Sequence, residues 1–327
     1  MTPVRVDAAL VRRRLARSRA QAAELVRAGR VTAAGLPVTK PSAPVPDDAE
    51  IVVVADPGDP GWASRAALKL AGALDALAAD EAGGRLAKIE GSWCLDLGAS
   101  TGGFTDVLLR RGAAHVVALD VGHDQLVTRL REDARVTVVE GFNVRTLGRG
   151  DLARRPDVVV GDLSFISLRL VLPVLAPVLE TGAPALLLVK PQFEVGRERL
   201  GAGGVVRDPA LRAAAVLDVI DAGARVGLHA RAVVPSPLPG PSGNHEYFVA
   251  FERGEPSPAL GVRAGAGETG PPGTGTPGER MPGVVTQVAA AVQAAVAWRP
   301  DDDGAARPPV VPVVPQARPS LGTGGAP

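Results

Sequence analysis

Apolar positions fall into two patterns along the chain, and the change between them comes near residue 60. In the front part, Val6, Leu10 and Val11 recur at helical spacing over residues 5–14, with Asp7 in the first turn. Ser18 is placed to cap a second helix, Arg19 to Ala28, and Gly29 ends it. A short hairpin over 31–38 and a strand over 50–54 follow. Beyond the Pro/Gly stretch at 55–61, short apolar runs alternate with helical segments. An amphipathic helix over 64–79 is expected to bury Leu68, Leu70 and Leu74. Strands are expected near 91–97, 115–120, 136–140, 157–162, 185–189, 231–235 and 247–251. Helices are expected from Val107 to Arg111, from about Asp124 to Arg131, over 167–180 with kinks at Pro173 and Pro177, and over 206–226. This alternation predicts an α/β fold, a doubly wound and mostly parallel Rossmann-like sheet, preceded by a small α+β module.

Composition adds limits. A chain of 327 residues has room for about two domains. Cys94 is the only cysteine, which excludes an internal disulfide and a cysteine metal cluster. The four histidines, His115, His123, His229 and His245, show no metal-ligand spacing, so no metal is expected. No apolar run approaches a membrane span, and the Arg-rich N-terminus lacks a secretory core, so a cytoplasmic protein is expected. Net charge is +1, but residues 1–40 hold nine basic residues against Asp7 and Glu24, an excess of +7 that suits a polyanion partner. Fourteen of the 29 residues from Glu255 to Gly283 are Gly or Pro. The expected organisation is therefore a module at 3–56, a linker at 57–63, a second domain at 64–253, and a mostly disordered tail at 254–327 with a possible helix at 284–298.

The chemistry concentrates around Gly98-Ala99-Ser100-Thr101-Gly102-Gly103, a tight turn after an apolar strand, with Asp120 22 residues after Gly98. Ser100 stands where a nicotinamide-binding turn has its second Gly, and no phosphate-loop lysine is present. Asp96, two residues before Gly98, fits an S-adenosyl-L-methionine site better. Three strand ends carry charges: Asp162, Lys190 and Glu246. Lys69 lies on the helix before the first strand. Charges so placed are costly unless paired or used.

Two resemblances follow from these residues. Arg5-Val6-Asp7, Leu15 to Arg19, and Val26 to Val31 around Gly29 resemble the alpha-L RNA-binding module of a ribosomal protein. Lys69, Asp162, Lys190 and Glu246 resemble the Lys-Asp-Lys-Glu tetrad of FtsJ-like ribose 2′-O-methyltransferases. Taken with Ser64-Arg65, the Gly98 turn, Leu119 to Gly122, Asp162 to Ser167, Lys190 to Glu194 and Ser236 to Asn244, the chain resembles the TlyA family over residues 4 to about 253. Ala66 and Ala67 replace family glycines, His123 replaces a usual tyrosine, and the Gly/Pro-rich insertion is extra.

The resemblance implies methylation of cytidine ribose in ribosomal RNA of both the small and the large subunit. Lys190 is then the candidate base, with Lys69, Asp162 and Glu246 beside it. Gly98, Ser100 and Gly102 would approach the methionine part of the cofactor, with Asp96 just before them. Asp120 would meet the ribose hydroxyls, and Asn143, Asp162 and Leu163 the adenine. Arg5, Arg14, Arg17, Arg19, Lys40 and Arg65 are the candidate RNA contacts. As plain ion pairs, the four charges would match Lys190 with Glu246 and Lys69 with Asp162. A non-catalytic RNA-binding or assembly factor is the competing reading. A membrane-lytic role, which the family's haemolysin label raises, finds no amphipathic helix with a basic face.

Overall fold

The front pattern folds as β1 (Val4–Arg5), α1 (Val6–Arg12), α2 (Arg19–Arg27), β2 (Val31–Ala33), β3 (Leu36–Pro37), β4 (Pro44–Val45) and β5 (Ile51–Val53) in a computed structural model. The structure describes residues 3–13, 15–16, 19–54, 60–80, 83–256, 282–299 and 307–313. Strand β2 pairs antiparallel with β3 and β5, and β1 pairs with β4. Ala34 and Gly35 both take positive φ at the β2–β3 turn, as a two-residue hairpin requires. Val6, Leu10, Val26, Val31 and Ile51 close a small core over this sheet. The chain divides into two compact units, Met1–Gly61 and Trp62–Pro327.

The second unit runs α3 (Ala66–Ala78), β6 (Trp93–Leu97), α4 (Gly103–Arg110), β7 (His115–Leu119), α5 (Thr128–Arg131), β8 (Val136–Val139), β9 (Val158–Gly161), α6 (Leu172–Leu175), β10 (Pro184–Val189), α7 (Pro191–Glu194), α8 (Pro209–Arg225), β11 (Leu228–Pro235), β12 (Tyr247–Arg253), α9 (Pro282–Ala297) and β13 (Val311–Pro312). The sheet order is β13-β11-β12-β10-β9-β6-β7-β8. Strands β10, β9, β6, β7 and β8 are parallel, while β12 is antiparallel to β10 and to β11. One core packs α3 and α4 on one sheet face through Leu70, Leu74, Phe104 and Leu108. The other packs α6, α8 and α9 on the opposite face through Leu172, Leu175, Val216, Ile220 and Val292. Covered on both sides, β9 and β10 are buried along nearly their whole length, which explains their unbroken apolar runs. The doubly wound, mostly parallel sheet is the expected one. After β6 the chain goes to β7 on one side and later to β9 on the other, and this reversal opens a crevice at the strands' C-terminal ends.

Four local expectations change. The helix expected from Asp124 begins only at Thr128, because Asp124 takes φ +55 and Val127 is extended. Pro173 and Pro177 break the 167–180 segment into α6 and flanking 3₁₀ turns rather than kinking one helix. On α3, Leu68 is exposed while Lys69 is buried, because the inward stripe runs through Leu70, Ala73, Leu74 and Leu77. In the tail, Val288, Ala291, Val292, Ala295 and Val296 bury one face of α9 against α8 and β11, and Val311–Pro312 adds an edge strand. The remainder of that tail, including the Gly/Pro-rich stretch at 257–281, lies outside the described residues.

Candidate active site

The turn after β6 is shaped by what it must avoid. A Cβ on Gly98, at φ +81, would stand 3.1 Å from the Asp162 carbonyl oxygen and 3.2 Å from Leu163 Cδ2. Only glycine lets this turn come so close to the end of β9. Ser100 takes φ +47, and its backbone N–H donates to Asp120 Oδ2 at 2.8 Å. Asp120 Oδ1 accepts from Gly122 N–H at 2.7 Å, so one carboxylate ties two loops together. Ser100 Oγ lies 3.0 Å from Gln125 Oε1.

These loops wall a cleft of about 510 Å³, a size suited to a nucleoside-like ligand. Gly98, Ser100, Asp120, Asn143, Asp162 and Leu163, all expected at the cofactor, line it. Asp96 and Gly102 do not. Asp96 is fully buried, accepts from Thr105 Oγ1 at 2.7 Å, and leaves Oδ1 without a partner. Burial pushes its carboxyl up to about 7, and the nearby Asp162 and Asp120 add to the rise against the Thr105 bond. Gly102, at φ +97, serves packing: a Cβ there would strike Leu130 and Leu126.

Beside the cleft lie the four charged residues, joined as two pairs. Lys69 Nζ donates to Glu246 Oε2 at 2.6 Å, with side chains 9% and 1% exposed. Lys190 Nζ stands 2.7 Å from Asp162 Oδ1 and donates to Ser164 Oγ at 2.7 Å. The pairing is therefore the reverse of the one named for plain ion pairs. The cause is sheet order: β10 and β9 are adjacent, so Lys190 and Asp162 end neighbouring strands. Helix α3 is brought to the loop before β12 by Gly72, where a Cβ would sit 2.8 Å from Pro237 Cγ. Gly240 makes similar room for Glu246, with a Cβ position 2.5 Å from Oε1.

Sequence reasoning passed over several neighbours. Ser164 holds Lys190, and Gln192 Nε2 reaches Glu246 Oε1 at 3.4 Å. Both sit within motifs already singled out, two residues beyond Asp162 and Lys190, and that proximity was their signal. Phe165 is 92% exposed at the cleft rim with φ +63, uncommon for a bulky residue. Its ring lies 5.2 Å from that of Phe193, which in turn lies 6.0 Å from Lys190 Nζ. Glu194, buried on α7, fixes this loop by accepting from Ser167 Oγ at 2.5 Å and Leu168 N–H at 2.7 Å. Burial raises its carboxyl above the usual range.

The basic residues of the first unit are partly committed. Arg5 and Arg19 both pair with Asp7, at 2.8 and 3.0 Å. Hydrogen bonding from Arg5, reinforced by Arg19, holds the Asp7 carboxyl well below its ordinary value despite its burial. Arg12 pairs with Asp47, and Arg13 donates to the Ala49 and Asp47 carbonyls. Lys40 is exposed and without a described partner, as is Arg27, which the expected set had not included. Arg65 is exposed in the second unit, at the start of α3. Arg14 and Arg17 lie outside the described residues. No group of metal-ligating side chains and no helix able to cross a membrane occurs among the described residues.

Comparison with known proteins places these features. Residues 62–253 match the FtsJ-like methyltransferase model, and residues 4–51 match the S4 domain. The chain is 55% identical over 245 residues to the 16S/23S rRNA (cytidine-2′-O)-methyltransferase TlyA of Mycobacterium tuberculosis, covering 75% of this chain and 88% of that protein. It is 37% identical over 235 residues to Hemolysin A of Brachyspira hyodysenteriae, covering 72% and 93%. A solved structure of a haemolysin-named protein from Streptococcus thermophilus superposes with a TM-score of 0.62 at 33% identity, covering 90% of this chain and 97% of that one.

Proposed function

The chain belongs to the FtsJ-like methyltransferase family, and within it to the TlyA proteins, and on that footing we propose that it methylates ribose 2′-hydroxyls of cytidine in small- and large-subunit ribosomal RNA. The observation that carries the reading is the pair of lysine–carboxylate contacts beside the cleft, Lys190 with Asp162 and Lys69 with Glu246.

The donor set suits S-adenosylmethionine. The Cβ-free Gly98 keeps the turn open, Asp120 and Asn143 offer polar atoms for ribose and base, and Leu163, Phe142 and Ile166 offer apolar wall. When bound there, the cofactor supplies an electrophilic methyl group. In its neutral form Lys190 Nζ takes the proton of the 2′-hydroxyl, and Asp162 with Ser164 Oγ stabilises the ammonium formed. That ammonium must lose its proton to solvent before the next turnover. Lys69, fixed by Glu246, orients the hydroxyl from the other side, and positioning of this kind carries much of the rate. Phe165, exposed at the rim with Phe193 behind it, offers a face for the target base once it is out of its stack. The S4 domain, with Lys40 and Arg27 exposed, supplies phosphate contacts that place the enzyme on structured RNA in ribosomal subunits, and so in the cytoplasm.

The test is methyl transfer to purified ribosomal subunits, with 2′-O-methyl sites mapped on the RNA. Lys190→Ala is expected to lower the rate about 10²- to 10⁴-fold while the protein still folds and binds cofactor, with a lower unfolding midpoint because Asp162 loses its partner. Undiminished methylation by that variant would remove Lys190 from the chemistry, and absence of any 2′-O-methyl product from the unaltered protein would favour a non-catalytic RNA-binding factor.

A further inference from the structure

On the sheet face opposite α3, helix α8 packs against β12 and α9. Arg212, in the first turn of α8, is only 3% exposed, and its Nε is buried with no acceptor. Among the described residues no carboxylate reaches its guanidinium at ion-pair distance. Tyr247, the first residue of β12, is 2% exposed, and its hydroxyl is also buried without a partner. Arg299, just past the end of α9, and His245 lie within electrostatic reach of Arg212, and Tyr247 feels both arginines. The acid in reach of Arg212 is Asp208, whose side chain is committed as the N-cap of α8, accepting from Ala210 N–H at 2.8 Å.

A buried guanidinium whose Nε has no acceptor, near a buried hydroxyl without a partner, is costly unless something pairs with them. What is missing has a definite chemistry. Two guanidinium groups, an imidazole and a phenol present mostly donors and positive charge; the phenol oxygen and a neutral ring nitrogen can accept but carry no negative charge. Arg299 spends one N–H nitrogen on the Val296 and Trp298 carbonyls, leaving its other nitrogens. A tetrahedral oxyanion answers to donors converging from several elements, and guanidinium groups are matched to its oxygens. Arg299 is exposed, so the group opens to solvent on the α9 side.

We propose that Arg212, Arg299, His245 and the Tyr247 hydroxyl form a binding site for a phosphate-type oxyanion where α8, β12 and α9 meet, next in sequence to Glu246. The anion neutralises Arg212 and joins the C-terminal helix to the strand that follows Glu246. Its source is either free phosphate or a phosphate group of the RNA.

Thermal unfolding of the full chain tests the site, with inorganic phosphate titrated against chloride at matched ionic strength. A saturable rise of about 2–4 °C is expected once phosphate reaches roughly five times its Kd. Arg212→Met is expected to abolish that response and, without phosphate, to melt at or above the unaltered protein, since the unpaired buried cation is gone. If Arg212→Met does not fold, Arg299→Met on the exposed side is expected to weaken phosphate binding about tenfold or more. No saturable rise, or an equal rise in both variants, overturns the proposal. A response that emerges only when Asp301, Asp302 and Asp303 are replaced by Asn also overturns it, assigning the site to the chain's own carboxylates. RNA affinity at matched ionic strength separates the two sources: a tenfold loss in Arg212→Met supports an RNA phosphate, and no change supports the free anion.

Discussion

Asp7 and Glu246 are both nearly sealed from water, at 4% and 2% exposure, and each holds basic side chains, yet the cations differ. Arg5 and Arg19 leave 53% and 61% of their side chains exposed around Asp7, whereas Lys69 leaves 9% around Glu246. In the first unit a buried acid anchors guanidinium groups that stay hydrated and face outward. In the second, both partners are withdrawn from water. The same charge pairing therefore serves display in one place and fixed orientation in the other, and burial of the cation makes the difference.

Removing one cation from each pair should break that comparison most clearly. Lys69→Ala leaves Glu246 buried and alone, so a loss of about 3–5 kcal/mol in unfolding free energy is expected from urea denaturation. Arg5→Ala leaves Arg19 on Asp7 and should move the urea midpoint little. Equal losses would mean that burial of the cation does not set the cost.

Acid titration sharpens it next, because Asp96 and Asp7 are shifted in opposite senses. Asp96 in the folded protein titrates at about 7 against about 3.9 unfolded, so the folded state holds an extra proton between those values. Stability from this group therefore falls as pH rises through that window, and Asp96→Asn should flatten the thermal midpoint there. Asp7 is depressed, so its contribution is fully present above about pH 4 and is lost as pH falls below it. Asp7→Asn should remove that acid-side loss from the first unit.

The smallest effect concerns the displayed charges. Lys40→Ala and Arg27→Ala should each weaken RNA binding modestly and lower the slope of log affinity against log salt by about 0.7–0.9. An unchanged slope in both would exclude them as phosphate contacts.

Much of this architecture was legible because it rests on local pattern. The apolar runs of β6, β7, β9 and β10, the Gly98 turn and the spacing to Asp120 each announce themselves over a few residues. Six of the eight residues expected at the cofactor line one cleft for that reason. Asp96 and Gly102 belong to the same motif but turn elsewhere, one to Thr105 and the other to Leu126 and Leu130. Motif membership does not specify which way a side chain points when strand residues alternate between faces. On α3 the expected burial of Leu68 failed for a related reason, since rotation of the helix about its axis turns Lys69 and Leu70 inward and Leu68 outward.

By itself the sequence determined the fold class, the family motifs and the identities of the four charged residues, since periodicity, turn chemistry and motif order are properties of neighbouring positions. Tertiary structure alone decided the partners. Lys69 and Glu246 are 177 residues apart, and they meet because β12 inserts antiparallel beside β10 while Gly72 lets α3 close on Pro237. It also decided that α9 joins the core and that Arg212 is buried with no carboxylate at ion-pair distance among the described residues. Such outcomes depend on sheet order and packing between distant segments, which no local pattern encodes.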